Sequence, residues 1–408
     1  MPATSVQRHP LNCPRRRAAA PFAFRCSIPL AVLYLLVGTG VAEGQSPVRR
    51  SFEAVVLQAP ALVAMDGRPH LVYELHLTNF ARGDLTLTAI ELYDPASSDG
   101  PVAEFRGDAL ASILGGPGVG AVGDRRRVES GHRVAAHFWI PLDPSQAHRR
   151  LTHRIEFREG DLERSLTAAA VTVQDQPPVA LGPPVSGGVW VAMYDPVLGR
   201  GHQRVLLALD GSVRVPARFA IDWFRVDEMG RVADGDGQRV DEWHGYGADV
   251  LAVADATVVR TRDSIDESPT LTVEFVPDLD LGGGNYVSLD LGNGRYVHYE
   301  HLRPGSIRVR PGDRVQEGDV VAQAGYTGHS TGPHLHMHVS NGPAPLAGEG
   351  VPWLFREWEM LGSYTSLASS AALIDGVAWT PVSAGMPIRR TNEMPGRFAV
   401  VNFGAPQR

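Results

Sequence analysis

The sequence predicts a mainly β chain, an immunoglobulin-like β-sandwich followed by a second β domain, and three observations carry that prediction. Short runs rich in β-branched and aromatic residues recur between clusters of Gly, Pro, Asp and Ser. One of these runs alternates, with Leu71, Tyr73, Leu75 and Leu77 on one face and Glu74, His76 and Thr78 on the other; Val72 is the exception. Long helical periodicity is absent as far as about Val339. A length of 408 residues suits two or three domains, and 43% hydrophobic residues suffice for a sizeable core.

The elements follow in order. Residues 1–44 have the layout of a secretory signal peptide. Arg8, Arg15, Arg16, Arg17 and Arg25 precede the apolar run Ile28–Val37, and the small residues Gly38-Thr39-Gly40-Val41-Ala42 follow. The run is short for a bilayer span, so export to the periplasm or beyond is expected, with an uncleaved anchor as the alternative. Without this segment the chain has 33 arginines against 44 acidic residues and no cysteine, so a core or a metal must hold it. Residues 45–175 are expected to form the sandwich from strands at Phe52–Met65, His70–Thr78, Leu85–Tyr93, His132–Leu142, Leu151–Phe157 and Leu166–Val173. Gln174-Asp175-Gln176-Pro177-Pro178 and Gly182-Pro183-Pro184 make residues 176–189 a linker. Strands resume at Trp190 and define a second domain over 190–345. Residues 346–408 read as an extension in which Leu354–Met360 forms a helical turn or two.

Composition removes several chemistries. All 38 basic residues are arginine, which excludes a Schiff-base lysine and a P-loop lysine. Cys13 and Cys26 are the only cysteines, so thiol catalysis, cysteine zinc sites and disulfides are excluded downstream. A net charge of −7 with 7% aromatics gives no support to nucleic-acid binding. Three motif matches fail on context. The glycine pattern of residues 118–123 is followed by Asp124-Arg125-Arg126-Arg127 rather than an apolar helix face. Gly328-His329-Ser330-Thr331-Gly332 has nucleophile-elbow spacing but runs into Pro333 and an alternating segment. Asp234–Gln238 opens like a calcium loop, yet Arg239 and Gly245 stand where that loop needs glycine and glutamate.

Histidine carries the strongest signal. Of fifteen in the chain, six lie between His298 and His338. His334, His336 and His338 alternate with Leu335 and Met337, and in a strand such residues share a face at roughly 6.6–6.8 Å spacing. Three imidazoles on one face suit a metal, since imidazole is its commonest protein ligand. Asp222, in the apolar run Phe219–Phe224, is a carboxylate that burial makes costly unless something pairs with it. Asp249, with His244 five residues before it, is a second candidate.

The segment from Asn285 to Val339 resembles the zinc metallopeptidase domain of the lysostaphin and LytM type, which cleaves peptides of bacterial cell walls. The matching runs are Gly284-Asn285-Tyr286-Val287, Tyr299-Glu300-His301-Leu302, Gly312-Asp313-Arg314-Val315 with Gly318-Asp319, and Thr327 through His336. Gly247–Val258 is similar to the family's Gly-Thr-Pro-Val stretch, with Ala256 replacing a glycine. The resemblance covers roughly residues 185–345 and implies an antiparallel sheet with a groove. The family's first motif, His-x-Gly-x-Asp, is not intact, and two registers compete. In one, Asp222 takes the aspartate's place, Arg218 stands at the family's histidine, His202 replaces it from upstream, and 224–245 is an inserted polar loop. In the other, His244 and Asp249 are the pair.

On the first register the resemblance implies Zn2+ held by His202, Asp222 and His336, with His301 and His334 as the catalytic histidines. One of these orients or deprotonates water and the other stabilises the oxyanion. His298, His329 and His338 lie beside the cluster as rim residues or supports, and Tyr299 and Asn285 line the groove. The implied substrate is peptidoglycan stem peptides or cross-bridges. The competing functions are a non-catalytic binding or regulatory module on the same fold, and a structural or adhesive envelope protein.

Overall fold

The structure, a computed structural model, describes residues 51–117, 124–144, 149–197, 201–272, 278–367, 370–382 and 386–404. The leader with its cysteines and the glycine pattern of residues 118–123 lie outside the described residues.

The N-terminal part is a two-sheet sandwich. Phe52–Val55, Ala61–Met65, Arg68–Asn79, Arg133–Pro141 and Leu114–Gly115 form one antiparallel sheet. Leu85–Tyr93, Ala103–Arg106, Arg150–Glu159, Leu162–Thr172 and Arg127–Val128 form the other. The run expected from Phe52 to Met65 divides before Ala61, next to Pro60, which has no N–H for the ladder. Leu71, Tyr73, Leu75 and Leu77 enter the core between the sheets with Leu87, Leu92, Ile155 and Phe157, as the alternation requires. A short helix, Gly107–Ile113, buries Leu110 and Ile113 against that core.

The opposite face of the Arg68–Asn79 strand is not solvated. Val72 packs with Val63 and Met65 into the core of the second domain, beside Trp190, Phe219 and Trp353. This accounts for the break in alternation at Val72. Glu74, on the same face, takes a two-pronged ion pair from Arg218, Nε to Oε1 at 2.8 Å and Nη2 to Oε2 at 2.6 Å. Arg218 also pairs with Glu349, and all three side chains are buried. Arg218 therefore fastens the sandwich to its neighbour. Burial would raise the Glu74 carboxyl, but the adjoining Arg218 guanidinium outweighs it and holds the group well below the usual range. Removing one partner of a buried ion pair strands the others, so Arg218→Ala should cost about 3–5 kcal/mol. Urea unfolding checks this. The triple change Glu74→Leu, Arg218→Met, Glu349→Leu should cost much less, because no charge is left unpaired.

The second domain is built on one large sheet. In spatial order its main path runs Val179–Leu181, Trp353–Ser363, Ala399–Asn402, Val189–Met193, Ile221–Val226, Leu335–Ser340, Arg295–Glu300, Tyr286–Gly292, Ala256–Arg262 and Arg314–Val315. Neighbours on this path are antiparallel except the first two, which are parallel. The helical turn expected at Leu354–Met360 is instead part of the Trp353–Ser363 strand. Trp353 and Phe355 fill the core from one face, and the segment gains its hydrogen bonds from three flanking strands. Trp353–Ser363, Ile388–Glu393 and Ala399–Asn402 thus complete the sheet rather than trail from it. Residues 224–245 are likewise no simple polar loop. Val232, Ala233 and Trp243 form a small core with Phe224, Tyr364 and Phe398. Those apolar residues are too scattered among polar ones to show a period.

Candidate metal centre

Strand register assembles the centre. Asp222 lies directly opposite His336, and His336 directly opposite Glu300, across three neighbouring strands. Residues so paired share a face with Cβ atoms about 4.5–5.5 Å apart. The same row logic places His298 opposite His338. The alternate residues Ile221, Trp223, Leu335, Met337 and Tyr299 turn into the core, which holds the ligand-bearing strands rigid.

His202 arrives from elsewhere, on the one-turn 3-10 segment His202–Arg204. Its neighbours anchor that turn. Gln203 Nε2 donates to the Ala220 carbonyl at 2.8 Å, and Arg204 donates to the carbonyls of Pro196 at 2.6 Å and Ser112 at 2.7 Å. Ser112 belongs to the sandwich, so the sandwich helps to hold the turn. The result places His202 Nε2 3.1 Å from Asp222 Oδ2, while His336 Nδ1 stands 2.7 Å from Asp222 Oδ1. Donor atoms of His202, Asp222 and His336 all lie within 4.8 Å of one another. The His202 side chain is 43% exposed and that of His336 only 5%, so solvent reaches the centre from the His202 side.

Two more imidazoles complete the face. His334 Nε2 is 3.5 Å from Asp222 Oδ1, and the His301 ring lies 4.8 Å from that of His334 and 5.9 Å from that of His336. His301 has φ 62°, a left-handed conformation costing a non-glycine residue of order 1–3 kcal/mol. It breaks the strand alternation immediately after Glu300. His301 Nδ1 faces the Thr327 carbonyl at 2.8 Å, and His334 Nδ1 faces the Gly332 carbonyl at 2.7 Å. A carbonyl only accepts, so in the neutral rings both protons sit on Nδ1 and both Nε2 atoms keep a lone pair. His334 Nε2 is buried with no hydrogen-bond partner. Phe224 stacks on the His334 ring at 4.8 Å, and Trp243 packs against Gly332, where a side chain would collide.

Electrostatics support a charged Asp222 carboxylate, a His202 that holds its proton more firmly than usual and a neutral His301. Burial would raise the Asp222 carboxyl, but the His202 and His334 imidazoles beside it hold it well below the usual range. Burial lowers His202 and the Asp222 carboxylate raises it, leaving it above its ordinary value. Burial, then the neighbouring His334 and His336, bring His301 down to about 3. His301 is therefore neutral at physiological pH.

The other candidates are not brought together in this way. Asp249 is exposed and pairs with Arg308 at 3.2 Å, and His244 is in neither donor group found among the described residues. Tyr299 is fully buried, its hydroxyl accepting from the Val253 N–H at 3.0 Å, so it lines no groove. Asn285 is also buried and bonds both backbone groups of Ile265. His298 bonds Ser288 and Ser340 beneath the surface, away from solvent. The Gly328–Gly332 pattern is a turn that enters the Leu335–Ser340 strand. Glu300 is the addition: with His336 and with His338, expected at the rim or as a support, it forms the second donor group, all buried. Glu300 lay within a matching run, but its place opposite His336 depends on strand pairing.

Residues 238–347 match the model of peptidase family M23. His202 and Asp222 lie upstream of that match. An uncharacterized metalloprotease of Buchnera aphidicola subsp. Baizongia pistaciae (strain Bp) is 29% identical over 102 residues, 25% of this chain and 22% of that protein. The glycyl-glycine endopeptidase ALE-1 of Staphylococcus capitis is 32% identical over 101 residues, 24% of this chain and 23% of that protein. The chain thus spans under a quarter of the length of these curated relatives. Among solved structures, the catalytic domain of the antimicrobial peptidase lysostaphin from Staphylococcus simulans is similar at 19% identity and TM-score 0.22, over 42% of this chain and 88% of that one.

Proposed function

As the chain carries a peptidase family M23 domain over residues 238–347, we propose that it is an exported zinc endopeptidase that hydrolyses peptide bonds of bacterial peptidoglycan. The observation that carries this reading is the convergence of His202, Asp222 and His336 beside His301 and His334. The donor set fits the metal. Two imidazoles and one carboxylate are a zinc ligand set of the catalytic kind. The Asp222 carboxylate has an imidazole nitrogen at each oxygen, and an orphan His334 nitrogen faces the same place. When bound there, zinc supplies a Lewis acid that polarises a carbonyl and makes hydroxide available near neutral pH.

The remaining chemistry belongs to the chain. His301, neutral and held through Nδ1 by Thr327, keeps its Nε2 lone pair to accept a hydrogen bond from water and orient it. His334, oriented by Gly332 and backed by Phe224, has its Nε2 lone pair available to take the proton that the water gives up and, with that proton, to hydrogen-bond the oxyanion. Export rests on the arginine-rich leader and its apolar run, Ile28–Val37. The substrate class rests on the glycyl-glycine endopeptidase relative and on the cell-wall resemblance of residues 284–339.

Incubating the full chain with purified peptidoglycan and with glycine-rich cross-bridge peptides tests the reading. New amino termini should appear with zinc, vanish with a chelator and return when zinc is restored. Zinc binding without any new terminus would favour the non-catalytic module, the reading that the displaced first histidine motivates. The choice of first ligand has its own test. His202→Ala should release zinc while His244→Ala retains it, as measured by metal content after dialysis.

A further inference from the structure

His336 has two ring nitrogens and the zinc reading uses one. On that reading Nδ1, which faces Asp222, is the metal's. A neutral imidazole that gives Nδ1 to a metal must carry its proton on Nε2, and that proton needs an acceptor inside the protein. His336 Nε2 lies 3.1 Å from His338 Nδ1 and 3.8 Å from Glu300 Oε1, and His338 Nδ1 lies 3.3 Å from the same Glu300 oxygen. All three side chains are buried, His338 completely so. Glu300 Oε1 has no hydrogen-bond partner, which is costly for a buried carboxylate oxygen and marks it as aimed at this pair.

The fold places the group deliberately. Glu300 sits opposite His336 on the side away from Asp222, so the imidazole stands between two carboxylates in one row of the sheet. Gly283 packs against the Glu300 carboxylate, where any side chain would collide, and its carbonyl accepts from the His301 N–H at 2.9 Å. The same backbone thus seats Glu300 and His301 together.

We propose that His338 Nδ1 accepts the His336 Nε2 proton, its own proton lying on Nε2, and that the negative charge of Glu300, facing both nitrogens, holds the proton between them, so that the two are the positioning pair that commits His336 Nδ1 to the metal. The proposal rests on the zinc reading above. Groups behind a metal-bound histidine fix its tautomer and raise its basicity, and their loss typically weakens metal binding by about 10–100-fold. Glu300 touches neither substrate nor metal in this account.

Competition with a chromophoric chelator, on the full chain, measures zinc affinity for the parent, Glu300→Leu, Glu300→Gln and His336→Ala. Glu300→Leu should bind one zinc roughly 10–100-fold more weakly, and Glu300→Gln, which keeps an acceptor oxygen, should lose less. Long-range proton–nitrogen NMR of the zinc-loaded parent should show His336 protonated at Nε2, a signature that merely filling space would not produce. Zinc affinity unchanged in Glu300→Leu while His336→Ala abolishes it would overturn the positioning role alone. A parent that takes two zinc ions and loses one in Glu300→Leu would overturn it as well, making the three side chains a metal site of their own. A parent that binds no zinc overturns both readings.

Discussion

His336→Ala should abolish zinc binding and hydrolysis together, with affinity falling by more than the roughly 10–100-fold that loss of a supporting partner costs. The reason lies in the row Asp222–His336–Glu300. On the zinc reading His336 is the ligand on the central strand, and its removal leaves His202 and Asp222, two donors where catalytic zinc needs three. The fold should persist, because Leu335 and Met337, not His336, fill the core. Metal content by elemental analysis and new amino termini from peptidoglycan are the measurements. A variant that keeps one zinc per chain and parental turnover would remove His336 from the centre.

The second large effect separates binding from chemistry. His301→Ala should keep its zinc and lose turnover by about 10²-fold, as when a reacting group is no longer held in place. The loss should fall on kcat with little change in KM, as when an interaction made only in the transition state is removed. His334→Ala should behave similarly. Phe224 stacks on its ring and is itself backed by Trp243, so a larger replacement there would be ill tolerated. Zinc lost along with activity in His301→Ala would make that residue a ligand instead.

Much of this centre is legible in the sequence because strand periodicity is local. Alternation alone puts His334, His336 and His338 on one face, and it holds for Leu71 to Leu77 in the sandwich. What alternation cannot reveal is which residues of different strands lie opposite one another. Asp222, His336 and Glu300 are separated by 36 or more positions, and only pairing brings them into one row. His202 stands outside any strand, held by Gln203 and Arg204, so no period predicts it. Arg218 shows the opposite case. Read as a departure from a ligand motif, it is a structural clamp on Glu74, and the contact depends on domain packing. Leu354–Met360 resembles a helix in sequence because Leu354, Phe355 and Trp358 are spaced as on one, and a short apolar run cannot be assigned from period alone.

Zinc-edge anomalous diffraction from crystals of the zinc-loaded full chain tests the central claim most directly. The account predicts one peak at about 2.0–2.2 Å from nitrogen and oxygen donors of His202, Asp222 and His336. A peak held by other residues, or none at these three, would contradict it.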